Sequence, residues 1–358
     1  MRIPMLPACA LGSAAIALLT GATANLTSVS SIAVSPTMVS RSSRATPLVG
    51  FPGWMNRRVY SAALPRVYDY ASLLNRWHPM RSPQVRPPKS KSRVGEYFYG
   101  CDFDADSCGV YYLGGALVST ITNLTYPQGV AVDDKHQVYV VNSGAYQVLI
   151  YAPGGSPLVS TLSSPGNEPA FAAVSKTLLA VSDLNSSSGR ANVAVYRNRS
   201  NGATPSYYLT DPNAIEGESV AFDSKGNCYW SYNARTSSKF GNIDEFRGCK
   251  QGAKPINLGI TTQFAGGIAF DAEDNLWYTD QRAGTLNVCV SGSGCFVDLT
   301  GFGDPITLSW DGSDVMYVMD ATAGIYQVNV LGDPFEVAPI PESALPIGVA
   351  VDASAATE

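Results

Sequence analysis

Carboxylates are the reactive groups this sequence has in quantity: 29 Asp and Glu, against two His. Four of them, Glu168, Glu216, Glu218 and Asp304, stand just before short apolar segments and interrupt a pattern that otherwise repeats. Gln128 holds a comparable place before an earlier segment. Acids that converge can hold Ca²⁺ through oxygen ligands or attract a cationic ligand. Glu216 and Asp304 are the pair expected to contribute to one divalent cation site, if there is one. A second set is periodic: Asp102, Asn142, Asp183, Asn233, Asp280 and Asp320. Asx side chains accept backbone N–H groups in turns, so this set reads as hairpin caps. His78 and His136 are too few for a multi-His metal centre. No Ser-His-Asp relay or phosphate loop is present. Asp102-Phe103-Asp104-Ala105-Asp106 opens like a calcium loop, but Ser107 replaces its Gly and Leu113 its closing Glu. It reads as a solvated loop.

Such acids act only where elements hold them, and the elements repeat from residue 94 onward. An apolar segment ending in Asp recurs as GVAVD (Gly129–Asp133), SVAFD (Ser219–Asp223), GIAFD (Gly267–Asp271), TLSWD (Thr307–Asp311) and GVAVD (Gly348–Asp352). A weaker copy ends at Ser175, so the end points fall 40 to 48 residues apart. A second apolar segment follows each and ends in the periodic Asx. It carries a large residue at one level: Tyr99, Tyr139, Tyr229, Trp277 and Tyr317, with Leu179 in the weak copy. A Gly, then a third and a variable fourth segment, complete the unit. Four short strands per unit predict one blade of a propeller. Five units are complete. The sixth first strand, at 348–352, finds its missing partners at YFYGCD (97–102), VYYL and LVSTIT (117–122). The expected fold is therefore all-β: a six-bladed β-propeller of antiparallel strands, closed by a composite blade built from both ends of residues 94–358. Closure removes exposed sheet edges.

The net charge of −5 hides an asymmetry. Residues 25–93 hold eleven Lys or Arg and one acid; residues 94–358 hold twelve and 28. Residues 1–24 read as a secretory signal peptide, with Arg2, an apolar run at 8–20 and Ala22-Thr23-Ala24 as the cleavage site. Residues 25–93 read as a basic, Ser- and Pro-rich flexible linker, able to touch anionic surfaces. No specific nucleic-acid module and no transmembrane span in the mature chain are expected. The mature protein is expected to be a monomer, secreted, periplasmic or on the cell surface. Cys9 leaves with the signal. Six Cys remain, and locality pairs them as Cys101–Cys108, Cys228–Cys249 and Cys289–Cys295. Asn-x-Ser/Thr occurs at Asn25, Asn123, Asn185 and Asn198.

YPQGVAVDDKHQVYVVNSGAYQVLIYAPGG and GGIAFDAEDNLWYTDQRAGTLNV resemble the NHL-repeat and gluconolactonase-like propellers of the TolB-like superfamily, and the resemblance covers residues 94–355. It implies a central tunnel, with a ligand site on the face carrying the loops that lead into the first strands. In gluconolactonase-like relatives a Glu, an Asn and an Asp hold a divalent metal. Here Glu216-Gly217 is similar to the Glu element, but Gly266 stands where the Asp belongs and Gln128 where the Asn belongs. Virginiamycin-lyase-like relatives use a tunnel His, and neither His78 nor His136 is placed for it. The first expectation is a non-catalytic scaffold that binds a small molecule, glycan or protein through its acidic loop face. The alternative is a metal-dependent hydrolase or lyase of the lactonase type. If the basic linker is a tether, deleting residues 25–93 releases the protein from anionic vesicles at low salt; unchanged retention in a flotation assay removes that role.

Overall fold

A computed structural model describes residues 97–352, apart from 114, 165–166, 187–188, 235–239, 292, 313–314, 323, 330–334 and 340–345. The expected signal peptide and basic linker lie outside the described residues. The described chain forms six four-stranded antiparallel sheets, with only three-residue 3₁₀ turns as helical structure. The innermost strands are Pro127–Val132 in blade 1, Asn167–Val174 in blade 2, Ala214–Phe222 in blade 3, Ala265–Phe270 in blade 4, Pro305–Trp310 in blade 5 and Pro346–Val351 in blade 6. Blades 1 to 5 then run outward in chain order. Blade 6 is composite: Pro346–Val351 pairs with Tyr97–Asp102, followed by Ser107–Tyr112 and Leu117–Ile121. Gly109 lies inside the third strand of that blade rather than before it.

Burial follows distance from the axis. The second strand of blade 1, Val138–Asn142, is buried throughout, whereas Leu117–Ile121 at the rim is exposed in four of its five residues. Strands with blades stacked on both faces need apolar residues on both, so VYVVN is a continuous run rather than an alternation. Each of the apolar clusters joins two neighbouring blades, as Tyr139, Val141, Leu179 and Val181 do for blades 1 and 2. The recurring aromatic has a second task. Tyr139 donates its hydroxyl to Asp133 at 2.9 Å, and Trp277 its indole N–H to Asp271 at 2.8 Å. Those same Asp residues accept backbone N–H groups of their own turns, from Lys135 and Gln137 or from Glu273 and Asn275. In blades 1 and 4 the Asp that closes the first strand thus ties turn and aromatic together.

Glycines on the inner strands answer to the axis. A Cβ on Gly348 would lie 2.0 Å from the Gln128 carbonyl oxygen, and one on Gly267 would lie 2.6 Å from Thr307 Cα. A Cβ on Gly129 would meet Phe171 Cα at 2.6 Å. Neighbouring inner strands approach too closely there for two side chains. The closure is reinforced on the lower face, where His136 of blade 1 sits 2.9 Å from the buried Asp352 carboxylate of blade 6. All three expected disulfides form. Cys101–Cys108 and Cys289–Cys295 each link paired strands, and Cys228–Cys249 links a second strand to the turn after the third. The axial contacts predict that Gly267→Ala and Gly348→Ala each lower the unfolding free energy by about 1–3 kcal/mol, read from urea midpoints with the disulfides intact.

Candidate functional site

The upper face carries the ends of the second strands and the segments that lead into the inner strands. Five of the six periodic Asx residues spend their acceptors there on backbone N–H groups. Asn142 accepts from Thr125 at 2.6 Å. Asp280 accepts from Gln263, Phe264 and Ala283. Asp320 accepts from Gly303, Asp304 and Thr322. Asp102 holds its own turn through Asp104 and Ala105. Asn233 accepts from Ala265, across in blade 4. The hairpin-cap expectation therefore holds for Asp102 and, through Ala283 and Thr322, in part for Asp280 and Asp320, and needs correction for Asn142 and Asn233. The main duty is to fasten the residues one or two places before an inner strand, whose N–H groups have no strand partner yet.

Asp183 breaks this rule. It is fully buried, and neither carboxylate oxygen has a hydrogen-bond partner. The cause is local. In blade 2 the residues equivalent to those caps, Asn167 and Glu168, are already part of the inner strand and pair with Ser186 and Asn185. Two register irregularities flank Pro169 in that strand, and bulges of this kind re-aim the side chains beside them. Burial pushes the half-buried Glu168 carboxyl up to about 6. Burial, then the Glu168 charge, holds Asp183 well above the usual carboxylate range. Asn192 lies directly across from Asp183 on the third strand, and its buried Oδ1 also lacks a partner. Tyr208, 39% exposed, hydrogen-bonds Asn167 and feels the Asp183 charge.

The other expected residues fall into separate places. Glu218 is buried and accepts from Asn233 Nδ2 at 3.0 Å and from Gln281 Nε2 at 3.2 Å, which binds blade 3 to blade 4. Glu216 is buried opposite Asn233, and between the two acids Gly217 lets the strand pass over the Asp183 carbonyl. Gln128 is buried, with its Nε2 unpartnered. Asp304 belongs to the lead-in of blade 5, where its N–H is bound by Asp320. Among the described residues no three His, Cys, Asp or Glu side chains are grouped to hold a metal ion. The 102–106 loop is less solvated than expected: Phe103 is buried against Tyr126, and Asp106 accepts the Tyr126 N–H at 2.7 Å. A channel of about 370 Å³ lies along the lower part of the axis. Its lining includes no charged residue, and polar side chains enter it only from Ser219, Thr307 and Ser309.

A further pair was not anticipated. Asp244 of blade 3 is fully buried and meets the buried Asp211, with Tyr232 donating to it at 3.4 Å. Burial first, then the Asp211 charge, pushes Asp244 up to about 7. Only an alignment of third strands by register would have drawn attention to it, since NIDEF reads as an ordinary strand. A carboxyl raised in the folded state stabilises that state fully below pH ~4, and the stabilisation is lost as pH climbs toward 7. Asp244→Asn should flatten that decline and, above pH 7, exceed the parent protein's stability by about 2–4 kcal/mol. Denaturant melts between pH 4 and 8 check this.

No protein-family profile and no curated protein matches the chain. Solved structures do match. A chain from a nidogen/laminin complex is 17% identical, with a TM-score of 0.54 over 72% of this chain and 98% of that one. A protein of unknown function from Bacteroides caccae is 9% identical, with a TM-score of 0.53 over 72% and 98%. A catalytically inactive virginiamycin B lyase from Staphylococcus aureus with quinupristin is 10% identical, with a TM-score of 0.51 over 73% and 90%. At these identities what is shared is architecture, and the chain is a six-bladed β-propeller.

Proposed function

We propose that this propeller is a secreted, non-catalytic binding scaffold that takes a ligand or protein partner on its acidic upper face. What supports the reading is the division of labour among the acids of that face. Most periodic Asx residues are consumed by backbone N–H groups, while Asp183 keeps both oxygens unspent beside the half-buried Glu168. The charge of the propeller segment adds to this: 28 acids against twelve Lys and Arg in residues 94–358. Three disulfides fit an oxidising compartment, and no helix among the described residues is long and apolar enough to cross a membrane. The basic linker is proposed as an accessory contact to anionic surfaces. The metal-dependent alternative would draw on Glu216 and Asp304, for which the described residues supply no third ligand of the same kind.

Hexalysine serves as the probe, titrated into the full chain by calorimetry at low salt. Binding should weaken as salt rises and fall about tenfold when Glu168→Gln, Glu216→Gln and Asp304→Asn are combined. Equal affinity of parent and triple variant would overturn the reading. So would lactone turnover accompanied by one divalent ion per chain that survives dialysis and is lost on Glu216→Ala.

A further inference from the structure

We propose that the Asp183–Glu168 corner of blade 2 is a binding site for a primary ammonium group, which deepens the acidic-face reading and rests on it. The site begins with a missing donor. Every other periodic Asx accepts at least one backbone N–H. In blade 2 the inner strand extends two residues further up, and Asn167 and Glu168 pair with Ser186 and Asn185 instead of capping Asp183. A fully buried carboxyl is left with two empty acceptor oxygens. A buried polar group left in that condition is costly unless something donates to it.

The neighbours add further acceptors. Asn192, 7% exposed and directly opposite Asp183, contributes a second unpartnered buried oxygen, Oδ1. The half-buried Glu168 lies close enough for its charge to act on Asp183. Among the described residues the ion pairs fall on other acids, at Asp352, Asp133, Asp274 and Glu245, and Arg190, on the same hairpin, donates to the Pro212 carbonyl instead. The corner thus presents two carboxyls and an amide oxygen that enter none of those ion pairs.

That set fits an ammonium better than a metal ion. An alkylammonium carries three N–H donors and wants three acceptors. Ca²⁺ wants six to eight oxygens, and no third Asp, Glu, His or Cys completes a metal group here. Tyr208 at the rim offers an aromatic surface for the carbon chain behind the ammonium, and aromatic faces attract cations. The ligand class is a primary amine on an apolar or flexible tail, such as a lysine side chain or a free alkylamine. Its arrival re-ionises Asp183 by ion pairing.

The test uses n-butylammonium chloride and the full chain, with affinity read by ligand-detected NMR at pH 7. Butylammonium should bind. Tetramethylammonium, of equal charge but without N–H donors, should bind at least about tenfold more weakly. Asp183→Asn should cost about tenfold and Glu168→Gln a smaller factor, while Glu273→Gln, an exposed acid in a turn of the lower face, should leave the affinity unchanged. Asp183→Asn is isosteric and removes a buried acid; if it nevertheless fails to fold, the half-buried Glu168→Gln carries the test. Equal binding by parent, Asp183→Asn and Glu168→Gln overturns the proposal. Tetramethylammonium matching butylammonium, or Ca²⁺ displacing the amine at one ion per chain, also overturns it. Loss confined to Glu216→Gln moves the amine elsewhere on the face: the Asp183–Glu168 site falls while the acidic-face reading stands. Failure of hexalysine to bind the parent protein removes the acidic-face reading itself.

Discussion

Six inner strands converge on one axis, and at the tightest ring a backbone must pass where a neighbour's side chain would otherwise sit. The glycines at 129, 267 and 348 are the sequence's answer, since a Cβ at any of them would lie within 2.6 Å of the adjacent strand. Much follows from that crowding. The channel the inner strands leave along the lower part of the axis is lined without charge. Moving outward, the blades diverge and large aromatics fill the widening wedges. At the rim the last strand of a blade has a neighbour on one side only, and Leu117, Leu158 and Phe296 reach solvent.

On the upper face the same residue type does two different jobs. An Asp or Asn at the end of a second strand satisfies N–H groups that the start of an inner strand leaves unpaired. Where the inner strand is lengthened, the N–H groups join the ladder and the Asx loses its employment. Asp183 shows that exchange directly, because its would-be donors pair with Asn185 and Ser186. Blade 3 is lengthened too, by Ala214 to Glu216, but Asn233 turns to Ala265 and Glu218 and so stays occupied. Two insertions of similar length therefore give one closed network and one open acid.

The architecture was almost wholly legible in the sequence. Turn Asp, column aromatic, periodic Asx and turn Gly recur because each blade solves the same local problem, and a repeated solution leaves a repeated spelling. The cysteines were legible for a related reason, since partners close in a hairpin are close in the chain. Which acids are spent was not legible. Asp183 and Asp280 occupy the same repeat position, yet one is bare and the other holds three N–H groups. The difference lies two residues upstream of the other strand, in whether Asn167 and Glu168 lead into the sheet or belong to it. Asp244 was opaque for a similar reason, because its partner Asp211 arrives from the connection between two blades.

The composite blade has a consequence for how the protein is made. Residues 97–121 supply three of its strands and leave the ribosome before the other five blades, but the strand they need at the axis, 346–351, emerges after those blades. Domains often fold as they emerge, from the N-terminal end; this ring cannot finish that way. During synthesis the Tyr97–Asp102 strand must wait with one edge bare while five blades are built. A nascent chain of this kind is open to mispairing at that edge until residues 346–351 have emerged.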